Sequence, residues 1–378
     1  MKTLRSILSA FLSLLLMSVF PSVHVFGKEA RSLAVSAESA VLLEADSGSI
    51  VWSKDPTKRL PMASTTKIMS ALTAIENGDL DREVHVAAEA VGVEGSSMYL
   101  KRDECLTLSH LIYGLMLESA NDAATAIAYA IAGGVDEFAD LMNDRARRIG
   151  LVDTHFTNPH GLDDPDHYTT AADLALLTRE AMKNSTFREI VSTYKKNIPL
   201  NGDEGTRSLL NHNKLLKSYE GSIGVKTGFT KKSGRCLVSA AEREGVTLIA
   251  VTLNAPSDWE DHKRMLDYGF DSLEHVSVAE PRGLTLDLPI VGGDASEVRC
   301  TNRDFFSVTL PKGKRVVTRI EADRYFPAPV NLGDALGRAV FYVDGEEIGS
   351  LPLFAEHSVA EKEGKESILE RILRFLGR

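Results

Sequence analysis

Two blocks of strand-like sequence bracket a long helical middle, and this most constrains how the chain can fold. The first, "LAVSAESAVLLEADSGSIVWS" (33–53), alternates apolar with small or polar residues around "DSGS" and predicts a β-hairpin with a glycine turn. The second, 221–254, holds "GSIGVKTGFT", "RCLVSAAERE" and "VTLIAVTLNA", short β segments parted by turn residues. Between them, 61–190 is mostly helical in period: "LSHLIYGLMLES", "DAATAIAYAIAGG" and "GVDEFADLMNDRARRIGL" are apolar at helical spacing. "TTAADLALLTREAMKN" opens on a capping box, Thr170 to Asp173. "WEDHKRMLDYGFDSL" (259–273) predicts a closing helix. The economical topology is α+β: one antiparallel sheet built from both ends, flanked by helices, with a helical lobe inserted.

From residue 276 short strands split by Pro, Gly and Asp predict a small all-β domain over 276–356, with "VDGEE" as a hairpin signal. The tail, 357–378, ends in "KESILERILRFLGR", whose Ile368, Leu369, Ile372, Leu373, Phe375 and Leu376 fall on one helical face. It is either a helix docked on its own protein or an anchor lying in a membrane surface. The N-terminus sets Lys2 and Arg5 before an apolar run from Ile7 to Phe20, then Val25 and Gly27 at signal-peptidase positions. That layout predicts a secretory leader over 1–27, the alternative being an uncleaved anchor; the first domain then runs over 28–275.

The 378 residues are 43% hydrophobic with a net charge of −10, which suits a folded protein of two domains and offers no basic face to nucleic acid. Cys105, Cys236 and Cys300 show no CxxC and no metal-ligand spacing. Each fits a buried small hydrophobe, with one disulfide of unassigned pairing left open. "HFTNPHGLDDPDHY" gathers three histidines and three aspartates without HExxH or a pair on one helix turn, so a polar loop shaped by Pro, Gly and Asx turns is expected, and no metal.

"LPMASTTKIMSALTAIENG" (60–78) reads as an amphipathic helix that opens on Ser64 and Lys67. Residues three apart share a helix face, so the Ser64 hydroxyl would stand beside the Lys67 amine. Pro61 near the start leaves the Ser64 N–H among the first-turn donors. A nucleophile, a base and an oxyanion donor could thus come from one stretch. The pair alone is weak: about one or two SxxK matches arise by chance in a chain this long, and Ser192–Lys195 is a second. Lysine is also protonated at neutral pH unless burial or another cation lowers its pKa.

Partners for it exist. "ESANDAA" gives Ser119 and Asn121, the only SxN, in the break between two apolar helices. "GVKTGFT" gives Lys226, Thr227 and Gly228 on a predicted strand, where Gly224, Lys226 and Gly228 share a face and bare glycines would admit a substrate backbone. Lys232-Ser233-Gly234 fits a hairpin connection instead.

Helix-borne SxxK, SxN in a helix–helix turn and KTG on a strand, in that order, form the set of β-lactamases and penicillin-binding proteins. The sequence resembles the serine D-Ala-D-Ala carboxypeptidases, the low-molecular-mass penicillin-binding proteins, across nearly the whole chain after the leader, in "GLMLESANDAA", "THFTNPHGLDDPDHYTTAADLALL" and "GVKTGFTKKSGRCLVSAAEREG" as well as the triplets. The resemblance implies a β-lactamase/transpeptidase-like fold and no cofactor. It implies Ser64 as acylated nucleophile, Lys67 as its base and Ser119 as proton relay to the leaving amine. Asn121 would bind the substrate carbonyl, Lys226 and Thr227 the terminal carboxylate, and the backbone N–H groups of Ser64 and Phe229 the oxyanion. The Phe229 ring itself is expected to pack. Implied partners are peptidoglycan stem peptides ending in D-Ala-D-Ala, β-lactams as covalent inhibitors and the membrane surface, reached from the outer face of the cytoplasmic membrane. Residues 155–178 contain no glutamate, which a class A β-lactamase would need there for deacylation.

Overall fold

A computed structural model describes residues 33–200 and 205–362. The expected leader over 1–27 and the amphipathic segment beyond residue 362 lie outside the described residues. Among the described residues, no helix is long and apolar enough to cross a membrane. The chain divides into two compact units, one running to Glu242 and taking in Thr247–Gly269, the other made of Arg243–Val246 and Phe270 onward.

The first unit carries a five-stranded sheet in the order Ile50–Lys54, Ser39–Glu44, Val246–Leu253, Gly234–Arg243, Ser222–Thr230. Both bracketing blocks therefore enter one sheet, and Ser39–Glu44 pairs antiparallel with Val246–Leu253 in the register Val41↔Val251. The alternation in 39–44 does not mark a one-sided strand. All six residues are buried, and Val41, Leu42 and Leu43 follow one another directly, as suits a strand covered on both faces. Helices Leu108–Leu117, Asn121–Ala132 and Val135–Ile149 fill the middle of the chain. The last two each end on a glycine in the left-handed region, Gly133 at φ 84° and Gly150 at φ 90°. Helix Ala171–Met182 is capped as expected, the Thr170 hydroxyl accepting from the Asp173 N–H at 3.1 Å. Sheet and lobe share one core in which Val41, Val238 and Val251 join Ile68, Met69, Phe138, Phe156 and Phe187.

The second unit pairs Leu273–Ala279 with Phe306–Pro311 and builds a six-stranded sheet. The strand Leu273–Ala279 straddles the divide expected at 275/276. Its "VDGEE" hairpin joins Ala335–Val343 to Glu346–Ala355 through Asp344 and Gly345, both at positive φ as a type I′ turn requires. Val298, Cys300, Phe341 and Leu353 form its core, and β pairing runs on to Glu361, opposite Gly293. No disulfide joins the three cysteines, and Cys236 and Cys300 serve as fully buried apolar side chains.

Candidate active site

The SxxK stretch departs from the expected helix. Ala63–Thr66 is a 3-10 turn and the α-helix begins at Lys67, running to Asn77. A 3-10 turn has 3.0 residues per turn, so positions three apart eclipse. Ser64 and Lys67 straddle the junction, with Lys67 Nζ 2.9 Å from Ser64 Oγ.

Lys67 is wholly buried, and its amine has two further neighbours, Asn121 Oδ1 and the His160 carbonyl oxygen, both at 2.6 Å. Both of these atoms can only accept. A neutral amine has two N–H groups and one lone pair, so these neighbours take the N–H groups and the lone pair is left facing the Ser64 hydroxyl. Burial first, and the Lys226 charge next, push the amine toward that form, well below the usual lysine range. Asp122 opposes both.

Asn121 is oriented from behind. Its amide nitrogen donates to the Glu94 carbonyl at 2.6 Å, which turns the oxygen to Lys67. Its neighbour Asp122 secures that loop, accepting from the Ser97 hydroxyl at 2.6 Å and from the N–H groups of Met98 and Leu100 at 3.1 and 2.9 Å. Ser119 lies in the break between its two helices, buried, at a left-handed φ of 59°. Non-glycine residues in that region are strained, and such strain collects at functional sites.

On the edge strand, Lys226 is buried, donates to its neighbour Thr227 at the carbonyl at 2.9 Å, and has its pKa lowered by burial to about 7. Gly228 touches the 3-10 turn directly. A Cβ there would stand 3.1 Å from Ser64 N and 3.2 Å from Thr65 N. A Cβ on Gly224 would meet Val191 at 2.9 Å. The glycines flanking Lys226 thus admit the protein's own nucleophile turn and Val191, where the sequence suggested room for substrate. Thr227 is half-buried, and the Phe229 ring is 66% exposed and so does not pack as expected.

Direct hydrogen bonds therefore join Ser64, Lys67 and Asn121. Lys226 acts on Lys67 through charge, and Gly228 meets Ser64 through close approach. The rival pairs fall elsewhere: Ser192 and Lys195 are exposed at a helix end and a strand start, and Ser233 accepts from the Thr230 N–H at 3.0 Å within a hairpin turn.

Two carbonyls and a glycine carry roles the motif search missed. The His160 carbonyl is presented by a turn in which Asn158 Oδ1 accepts from Gly161 N–H at 2.7 Å. Gly161 has φ 87°, and a Cβ there would fall 1.9 Å from the Ala63 oxygen. The signal in the sequence was "NPHG", an Asx turn closed by glycine. Among the described residues no group of three or more His, Cys, Asp or Glu is arranged to hold a metal. His167 is instead buried and His160 half-buried, and desolvation keeps both neutral, with pKa values lowered to about 4 for His167 and about 3 for His160.

Comparison with known proteins agrees with this geometry. Residues 26–257 match the family model described as D-alanyl-D-alanine carboxypeptidase, and 284–361 match the penicillin-binding protein 5 C-terminal domain. The chain is 31% identical to the D-alanyl-D-alanine carboxypeptidase DacF of Bacillus subtilis, over 99% of this chain and 98% of that protein. It is 30% identical to DacC of Escherichia coli, over 90% and 88%. The crystal structure of penicillin-binding protein 5 from Haemophilus influenzae superposes with a TM-score of 0.68 at 29% identity, covering 87% of this chain and 98% of that one. The Streptomyces K15 DD-transpeptidase matches at TM-score 0.60 and 33% identity, over 63% and 98%. By sequence, fold and the ordered site motifs alike, the chain belongs to the D-alanyl-D-alanine carboxypeptidase family.

Proposed function

We propose that the protein removes the terminal D-alanine from peptidoglycan stem pentapeptides through an acyl-enzyme on Ser64. The observation that carries this is the Lys67 amine, buried, 2.9 Å from Ser64 Oγ and bonded otherwise only to acceptors. Ser64 Oγ gives its proton to Lys67 and bonds to the carbonyl carbon of the penultimate D-alanine. The N–H groups of Ser64 and Phe229 hold the oxyanion. The C–N bond then breaks, and the leaving amine takes a proton through Ser119. Water hydrolyses the ester and restores Ser64. Asn121 receives the substrate carbonyl, and the Lys226 cation with the Thr227 hydroxyl takes the terminal carboxylate. Penicillins acylate the same serine and stall.

The assay is D-alanine release from a pentapeptide, with Ser64→Ala as control. A cross-linked dimer as second substrate separates carboxypeptidase from endopeptidase action. A β-lactamase is disfavoured because the group that the 155–169 loop brings to Lys67 is a peptide carbonyl, not a carboxylate.

Export and attachment at the outer face of the cytoplasmic membrane are part of the same proposal, supported by the leader-like layout of 1–27 and the one-sided apolar pattern of the tail. A mature N-terminus at Lys28, and loss of membrane pelleting when the chain is cut after residue 362, are the expected results.

A further inference from the structure

His167 is bonded through both ring nitrogens, and the order of those bonds fixes its tautomer. Nδ1 accepts from the Thr157 N–H at 3.0 Å, so the ring proton sits on Nε2. Nε2 then donates to Thr66 Oγ1 at 2.7 Å. With that oxygen accepting, the Thr66 O–H donates to the Ala63 carbonyl at 2.8 Å. The chain of bonds ends on the peptide group linking Ala63 to Ser64, and the other end of that group is the Ser64 N–H.

The same peptide is constrained from two more sides. Ala63 is held at φ 47°, a left-handed conformation that is strained for an alanine because its Cβ crowds the following carbonyl oxygen. Gly161 packs so tightly on its carbonyl that a Cβ would lie 1.9 Å away. His167 and Thr66 are both buried, and the Phe156 ring stands edge-on to His167 at 5.8 Å. Water therefore does not compete for these bonds.

We infer that His167 is a positioning residue for acyl transfer: acting through Thr66, it fixes and polarises the Ala63–Ser64 peptide so that the Ser64 N–H meets the developing oxyanion. Linked hydrogen bonds polarise one another, and an amide whose carbonyl accepts a bond becomes the stronger donor. An oxyanion donor acts chiefly in the transition state, so its misplacement lowers the rate of acylation more than the affinity for the unreacted ligand. The inference rests on Ser64 being the nucleophile.

The test measures the acylation rate constant and the encounter dissociation constant for benzylpenicillin by rapid mixing. His167→Phe keeps the bulk and loses both bonds. It should acylate roughly ten- to a hundred-fold more slowly with the encounter constant unchanged. Thr66→Val, nearly isosteric, should show the same loss, and the double variant should be no worse than either single one. His167→Gln, whose amide can accept from Thr157 and donate to Thr66, should recover most of the rate. Wild-type acylation by His167→Phe, equal impairment of the Gln and Phe variants, or losses that multiply in the double variant would each overturn the inference while leaving Ser64 as nucleophile. Normal acylation of Ser64→Ala would instead remove the functional reading on which it rests.

Discussion

Asn121 and Lys67 meet at 2.6 Å, and the polarity of that bond is imposed from outside the pair: the Asn121 amide nitrogen is committed to the Glu94 carbonyl, so only its oxygen can face the amine. With the His160 carbonyl on another side, the amine has two acceptors and one reactive neighbour, Ser64. The lysine is thus prepared as a base by what surrounds it.

Asn121→Asp places a carboxylate beside that amine. A negative neighbour raises a lysine pKa, so Lys67 becomes protonated at neutral pH and cannot take the Ser64 proton. Acylation by benzylpenicillin should fall by roughly a hundred-fold, and the acid limb of its pH profile should move to higher pH. An unmoved acid limb would show that Lys67 is not the titrating base.

Lys226, with its pKa lowered to about 7, predicts the other limb. As pH rises through that value the free enzyme loses the cation that receives the substrate carboxylate. The kcat/KM for a pentapeptide should therefore decline on the alkaline side while kcat holds. Lys226→Arg keeps a charge at all accessible pH. It should lower kcat/KM yet abolish this alkaline decline, read from initial rates between pH 6 and 10.

Gly161→Ala separates crowding from conformation. Its Cβ collides with the Ala63 carbonyl and its φ of 87° disfavours alanine. Acylation should drop more than about tenfold and Tm should fall. Gly150→Ala has a similar φ of 90° but nothing within 4 Å. It should cost about 1 kcal/mol of stability and leave acylation unchanged.

Acid stability should follow the histidines that the fold desolvates. His262 is fully buried between the hydroxyls of Ser239 at 2.5 Å and Thr252 at 2.9 Å, with its pKa lowered to about 3 by burial. His160 and His167 are lowered to about 3 and about 4. Unfolded histidine takes up a proton near pH 6.5, whereas these do so only well below that. Their contribution to stability is complete above about 6.5 and is lost as pH falls toward 4. Calorimetric Tm should decline across that window, and the decline should be shallower in His262→Gln.

Much of the fold could be read from the chain because its signals are local. The capping box at Thr170 and the Asp344-Gly345 turn each act within a few residues, and each stands where the pattern put it. The bracketing strands added the one long-range inference, since strands at both ends of a helical stretch must find partners. Side-chain members of the site were legible for a different reason: SxxK, SxN and KTG are fixed spacings of reactive groups. What stayed hidden is backbone. The carbonyls of His160 and Glu94 and the left-handed Ala63 have no residue-type signature, because any residue supplies a carbonyl and its direction depends on tertiary packing. The helix start moved for the same reason: the 3-10 turn is set by contacts with Gly228 and Gly161, far away in sequence.

The central claim is that Ser64 is the acylated atom's owner and that Lys67 activates it. The most direct measurement is mass spectrometry of the protein after benzylpenicillin treatment, with tryptic mapping of the adduct. The account predicts one penicilloyl group on the peptide Leu60–Lys67 of the wild type, none on Ser64→Ala, and strongly slowed labelling of Lys67→Ala. An adduct on any other peptide, or equal labelling of Ser64→Ala and wild type, would contradict it.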